Sequence, residues 1–223
     1  MEDPTKVLAD HVKVVISKLA KRLDTLFKGK LRPAHVTALS LIGHFPAAWA
    51  LWTGRPILAA GLIAGFGLLD ALDGALARAQ GSASKSGMFF DAVTDRMKEV
   101  IIYCGLAAYV AGYGVDVEYW LIVAVAGSSL LVSYVKAKGE MAVSTEKHDK
   151  QDLNRAFGSG ISRYEVRMAV LIIGLLFTIY LGPLLRLLLA LNLFTAAGRF
   201  FEISRVLSIE DADRSKKSSP KKE

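Results

Sequence analysis

A chain of 223 residues can bury one core of ordinary size, but 52% hydrophobic residues is more than a typical soluble domain carries. A single cysteine, Cys104, excludes an intrachain disulfide framework, and the first residues lack the basic-then-apolar layout of a secretory signal. The net charge of +7 leaves nucleic acid or a membrane surface as partner, and the placement of the basic residues decides between them.

In residues 1–32, Leu8, Val12, Val15, Leu19, Leu23 and Leu26 recur at helical spacing among Lys13, Lys18, Lys21, Arg22 and Lys28. This pattern predicts an amphipathic helix lying on the membrane interface. Residues 33–54 carry no charge and are long enough to cross the hydrocarbon layer as a first span. A second span is expected over 56–77, and a third over 89–113, closed by the turn signal Gly112-Tyr113-Gly114. The fourth covers 118–136, and the polar stretch 137–162 reads as a loop. A fifth span runs over 164–181, Gly182-Pro183 breaks the helix, and a sixth continues to about residue 204. The charged, Ser-rich residues from Asp211 onward read as disordered, in a tail over 207–223. The expected fold is therefore an all-α integral membrane protein. It has six transmembrane helices (33–206) and an N-terminal amphipathic interfacial helix (1–32).

An even number of spans puts both termini on one side. All of the 28 Lys and Arg residues except Arg55 and Arg186 then fall on that side or at its helix ends. The positive-inside rule makes that side cytoplasmic, in a multi-pass protein of the cell membrane. The same bias accounts for the net charge through contact with membrane lipids, and no nucleic-acid partner is expected.

Acidic side chains on a membrane helix are costly enough to demand a reason. Asp70 and Asp73 are three residues apart on the second span, and Asp91 and Asp95 four apart at the start of the third, so each pair occupies one helix face. The short connection between the spans makes them antiparallel neighbours, with both pairs facing one cleft. Four carboxylates there would repel one another unless cations sat between them. All-oxygen donors favour a hard divalent metal, Mg²⁺ first and Mn²⁺ or Ca²⁺ behind it, and four are enough for two ions. For any one of these residues, a helix N-terminal preference or pairing with Arg78 or Arg96 is the simpler reading. Four on two facing helices require more.

The segment Asp70-x₂-Asp73-Gly74-x₂-Ala77-Arg78-x₈-Gly87-x₃-Asp91-x₃-Asp95 resembles the CDP-alcohol phosphotransferase signature at all eight of its fixed positions. That resemblance implies metal ligation by Asp70, Asp73, Asp91 and Asp95. It also implies a CDP-lipid, such as CDP-diacylglycerol, held at Asp73, Gly74, Ala77, Arg78 and Gly87. Gly74 and Ala77 leave room for a nucleotide against the backbone, and Arg78 suits a phosphate. Asp95 is the implied general base toward an acceptor hydroxyl, with a metal contact as an open alternative, and CMP is the leaving group. Pro33-x₂-Val36-Thr37 resembles the family's opening of the first span, where Thr37 helps to hold the nucleotide. Lys85 falls where relatives carry a basic residue near the diphosphate. Family likeness further implies a homodimer.

The acceptor must be read outside the signature. Ser133-Tyr134-Val135-Lys136-Ala137, the stretch Arg163-Tyr164-Glu165-Val166-Arg167, and Arg199 resemble features of prokaryotic phosphatidylinositol-phosphate synthases. Ser162 departs from that pattern in place of an acidic residue, and Arg167 stands one position late. The resemblance implies transfer of a phosphatidyl-type group to inositol phosphate, an anionic polyol, held by Lys136, Arg163, Arg167 and Arg199. Glycerol 3-phosphate is the alternative acceptor. A transporter would place its acidic residues near mid-membrane on broken helices, and a non-catalytic scaffold would be expected to lose an aspartate or a glycine.

Overall fold

The computed structural model describes residues 4–143 and 160–218. Among these are seven α-helices, one 3₁₀ turn and no strand, so the all-α expectation holds. The chain divides into two compact units, one of residues up to 116 with 175–178, the other of 117–174 with 179 onward.

The first unit contains α1 (Pro4–Leu26), α2 (Pro33–Trp52), α3 (Pro56–Ala79) and α4 (Lys85–Tyr113). Pro33 and Pro56 each open a helix where the missing N–H has no intrahelical acceptor to lose. α2 is the organising element, packed on both α3 and α4, whereas α3 and α4 do not pack extensively on each other. The direct α3–α4 pairing expected from their short connection is replaced by a shared partner. One reason is Gly105 of α4: a Cβ there would come within 2.8 Å of the Ala48 Cα, so only glycine allows the two backbones to approach this closely. The α2–α3 turn rests on Gly54 at φ +72°, with the Tyr113 ring covering it. Ser84 caps α4 by accepting the Gly87 N–H at 3.1 Å.

α1 docks on α3, with Ile16, Ala20 and Leu23 against Leu72, Ala75 and Leu76. Gln80 fastens the end of α3 to the same region, donating to Asp24 Oδ1 at 2.6 Å and to the Leu31 carbonyl at 2.9 Å. Beside the docked face, Val15, Leu19 and Leu26 remain exposed, so among the described residues α1 presents a second apolar stripe that protein does not cover. The side chains of Leu8, Val12 and Lys13 lie outside the described residues.

The second unit contains α5 (Tyr119–Ala142), α6 (Tyr164–Leu176) up to residue 174, the last two residues of a 3₁₀ turn (Thr178–Tyr180) and α7 (Leu181–Ser218). α5 packs on α7, with Gly139 beneath Ile203. At one end Arg186 donates to both Glu118 carboxylate oxygens, at 2.7 and 2.8 Å. Both residues are exposed, so this pair contributes little to stability. The interior is tied by a polar network. Asn192, fully buried, donates to Ser128 Oγ at 3.0 Å and Ser129 Oγ at 3.1 Å, and accepts from the Ser162 hydroxyl.

Three expectations are corrected. α5 continues six residues past 136, so 137–142 is helical rather than loop; of the remaining predicted loop, 143 and 160–162 are non-helical and 144–159 lie outside the described residues. The helix break falls before Gly182-Pro183, at the 3₁₀ turn, and both residues sit in the first turn of α7. There a proline costs no helix hydrogen bond. Residues 207–218 extend α7 instead of forming a disordered tail, and 219–223 lie outside the described residues. An established helix propagates into Ala, Arg and Lys positions at little cost, since nucleation is already complete.

Pro56–Ala79, Tyr119–Ala142 and Thr178–Ala212 are long and apolar enough to cross a membrane. They carry exposed Ile57, Leu68, Val123 and Phe194, surfaces that water would not tolerate in this number and lipid would. The chain is thus a membrane protein. α6, at 13 residues, is about 20 Å long and does not reach across by itself.

Candidate active site

Ten of the expected site residues fall in the first unit. Asp70, Asp73, Gly74, Ala77 and Arg78 lie on α3, Lys85, Gly87, Asp91 and Asp95 on α4, and Thr37 on α2. Asp73 is buried and accepts a hydrogen bond from Thr37 Oγ1. The Thr37 hydroxyl also lies 3.2 Å from the Pro33 carbonyl. It has one proton to give, and the anionic, closer acceptor takes it. Thr37 therefore orients Asp73, a contact that its sequence context does not announce.

Asp70 and Asp95 are brought together by a residue that the sequence reading did not single out. Lys98, fully buried, places Nζ 2.6 Å from Asp70 Oδ2 and 2.8 Å from Asp95 Oδ1. Arg96 adds a looser contact to Asp95 Oδ2 at 3.8 Å and pairs with the buried Glu99 at 2.6 Å. Asp91 is half-buried one turn before Asp95. The available signal was the run Asp95, Arg96, Lys98, Glu99: four charges within one predicted span cannot all face lipid. His44 was also passed over. It is buried in α2 with Nδ1 2.8 Å from the Ser40 carbonyl, and Nε2 has no hydrogen-bond partner among the described residues.

In donor chemistry the aspartates fit a hard divalent cation. They offer only oxygen, and Asp70 Oδ1 is buried without a hydrogen-bond partner among the described residues. As the side chains stand, no three acidic, histidine or cysteine side chains among the described residues are close enough to share one ion. Sharing therefore requires carboxylates to turn toward one another.

The rest of the expected nucleotide site is open. Gly74 and Ala77 are half-buried, and a Cβ at Gly74 would meet only the Arg78 guanidinium, 3.4 Å away. Lys85 and Gly87 are exposed at the start of α4. Arg78 is exposed and lines a cavity of about 430 Å³ with Ser17 and Lys21 of α1.

The four expected acceptor residues lie in the second unit. Arg167 is buried and donates to the Ser162 carbonyl at 2.7 Å. Ser162 is itself fixed through Asn192 and through its N–H to Thr195 Oγ1 at 3.3 Å. The serine that departs from the sequence pattern is thus a buried anchor. Arg199 donates to the Val132 carbonyl at 3.0 Å, keeps a buried Nε without a hydrogen-bond partner among the described residues, and borders a cavity of about 450 Å³. Arg163 is exposed, and Lys136 lies 3.5 Å from Glu140 one turn along α5.

The sequence profile described as CDP-alcohol phosphatidyltransferase matches residues 30–199. Phosphatidylinositol phosphate synthase of Cutibacterium acnes is 36% identical over 126 residues, 52% of this chain and 58% of that protein. Archaetidylinositol phosphate synthase of Pyrococcus horikoshii is 33% identical over 135 residues, 60% of this chain and 66% of that protein. The match thus spans less than two thirds of either relative. Phosphatidylinositol phosphate synthase of Mycobacterium tuberculosis, crystallised with CDP-DAG bound, superposes with a TM-score of 0.66 at 22% identity, over 85% of this chain and 93% of that one. Its complex with manganese and citrate gives 0.67 at 23%, over 84% and 88%. These structures share the fold.

Proposed function

This chain belongs to the CDP-alcohol phosphatidyltransferase family, and from that premise we propose that it transfers a phosphatidyl-type group from a CDP-lipid to inositol phosphate, releasing CMP. The observation that carries the reading is the complete eight-residue signature, with Asp70 and Asp95 drawn to a common point and Asp73 fixed by Thr37. The inositol phosphate acceptor is supported by the two relatives, one named a phosphatidylinositol phosphate synthase and the other an archaetidylinositol phosphate synthase.

The acceptor hydroxyl attacks the phosphorus farther from cytidine. A P–O bond to the acceptor forms, the P–O bond to the CMP phosphate breaks, and the hydroxyl proton passes to Asp95. Arg78 and Lys85 hold the diphosphate, while Gly74, Ala77 and Gly87 leave space for the nucleotide. A divalent cation, Mg²⁺ or Mn²⁺, held by Asp70, Asp73, Asp91 and Asp95, supplies charge neutralisation at the diphosphate. Arg163, Arg167, Arg199 and Lys136 recognise the acceptor's phosphate, for which guanidinium groups are well shaped.

We further read six membrane crossings, with α6 and the 3₁₀ turn together forming the fifth. α1 lies on the cytoplasmic leaflet of the cell membrane through its exposed stripe, and the termini and active site face the cytoplasm. The active form is a homodimer. CMP release by purified protein in lipid micelles with CDP-diacylglycerol and Mg²⁺ tests the reaction, comparing inositol phosphate, glycerol 3-phosphate, inositol and serine. Release dependent on inositol phosphate and lost in Asp95→Asn is the expected result. Release with glycerol 3-phosphate alone would replace the acceptor, and release with none, ether-linked CDP-lipid included, would refute the enzyme.

A further inference from the structure

A lysine ammonium within a membrane helix is costly unless it is paired, and Lys98 is buried completely. Its partners come from two helices that do not pack extensively on each other: Asp70 of α3 and, one turn back on its own helix, Asp95 of α4. The long lysine stem is thus what spans the space between the two carboxylate-bearing elements. Asp73 is held separately by Thr37. Two of the four signature aspartates therefore share one positive charge that the protein itself supplies.

We propose that Lys98 is the resident counter-cation of the carboxylate cluster, tying α3 to α4 in the metal-free protein and yielding Asp70 Oδ2 and Asp95 Oδ1 when a divalent ion is taken up. The tie rests on the two ion pairs alone; the exchange rests also on the reading of the aspartates as metal ligands. A divalent ion needs carboxylate oxygens at about 2.0–2.1 Å. An ammonium already within hydrogen-bond distance of two such oxygens competes for them and repels the incoming charge. Lys98 accordingly stabilises the empty cluster and weakens its affinity for metal. It acts through the aspartates and is a positioning residue.

Wild type and Lys98→Met, which keeps the stem and removes the charge, are purified in detergent micelles. Each is melted in EDTA and in Mn²⁺, and Mn²⁺ binding is followed by electron paramagnetic resonance of the free ion. The expected result is that Lys98→Met melts well below wild type in EDTA, recovers most of the difference in Mn²⁺, and binds Mn²⁺ about tenfold or more tightly than wild type. A variant destabilised equally in both media, with unchanged or weaker Mn²⁺ affinity, would reduce Lys98 to packing and overturn the proposal. Saturable binding by neither protein would remove the metal reading and the exchange; the tie would then stand or fall on the EDTA melt. Should Lys98→Met not accumulate, Lys98→Met/Asp95→Asn, which also removes a carboxylate, decides: recovery of folded protein supports charge neutralisation, and continued failure refutes it.

Discussion

Replacing Asn192 by alanine should destabilise the second unit by about 2 kcal/mol. Asn192 is fully buried and joins three hydroxyls, donating to Ser128 and Ser129 and accepting from Ser162. In membrane proteins each such bond is worth about 0.6 kcal/mol on average and at most about 1.7. Three bonds therefore give about 2 kcal/mol, with about 5 as the ceiling, and the lower figure already changes the folded-to-unfolded ratio about thirtyfold. The loss is unevenly shared. Ser128 keeps its bond to the Val125 carbonyl at 3.0 Å, whereas the Ser162 hydroxyl loses its buried acceptor. Reversible unfolding in mixed detergent micelles, read by helical circular dichroism, measures the change. A double-mutant cycle of Ser162→Ala with Asn192→Ala should return the largest coupling of the three. A change below about 0.5 kcal/mol, or no coupling to Ser162, would refute the reasoning. Because the Ser162 carbonyl receives Arg167, the same variant should raise the KM for inositol phosphate more than that for the CDP-lipid.

Thr37→Val removes the donor that orients Asp73 and should lower kcat/KM for CDP-diacylglycerol about tenfold, the worth of a hydrogen bond to a charged group, with expression unchanged. Gly105→Val forces side-chain atoms into the Ala48 backbone and should cost about 1–3 kcal/mol, seen as a lower melting temperature in detergent. Chelation by EDTA should abolish CMP release, and excess Mg²⁺ or Mn²⁺ should restore it. Arg199→Gln should raise the KM for inositol phosphate about tenfold or more while leaving that for the CDP-lipid nearly unchanged, as kinetics with each substrate varied in turn would show.

The helices were legible in the sequence because they depend on local signals: prolines at 33 and 56 set starts, Gly114 sets a stop, and long apolar runs fill the intervals. The signature was legible for the same reason, since spacings of three and four residues place the aspartates on helix faces without reference to anything distant. The C-terminal ends of α5 and α7 run further than their polarity suggests, which reads as loop after 136 and as disorder after 206. A helix already nucleated tolerates polar residues, and only the hydrogen-bonded ladder shows where it stops. Positively charged residues beside membrane helices all look like interfacial anchors in sequence. Lys98 and Arg167 differ from Lys85 or Arg163 only in what surrounds them. Sequence determined that four carboxylates sit on α3 and α4. Tertiary structure alone decided that α2 holds those helices, that Thr37 points at Asp73, and that a lysine one turn beyond Asp95 closes the gap to Asp70. Such contacts link residues from 28 to 36 positions apart, and no local pattern records them.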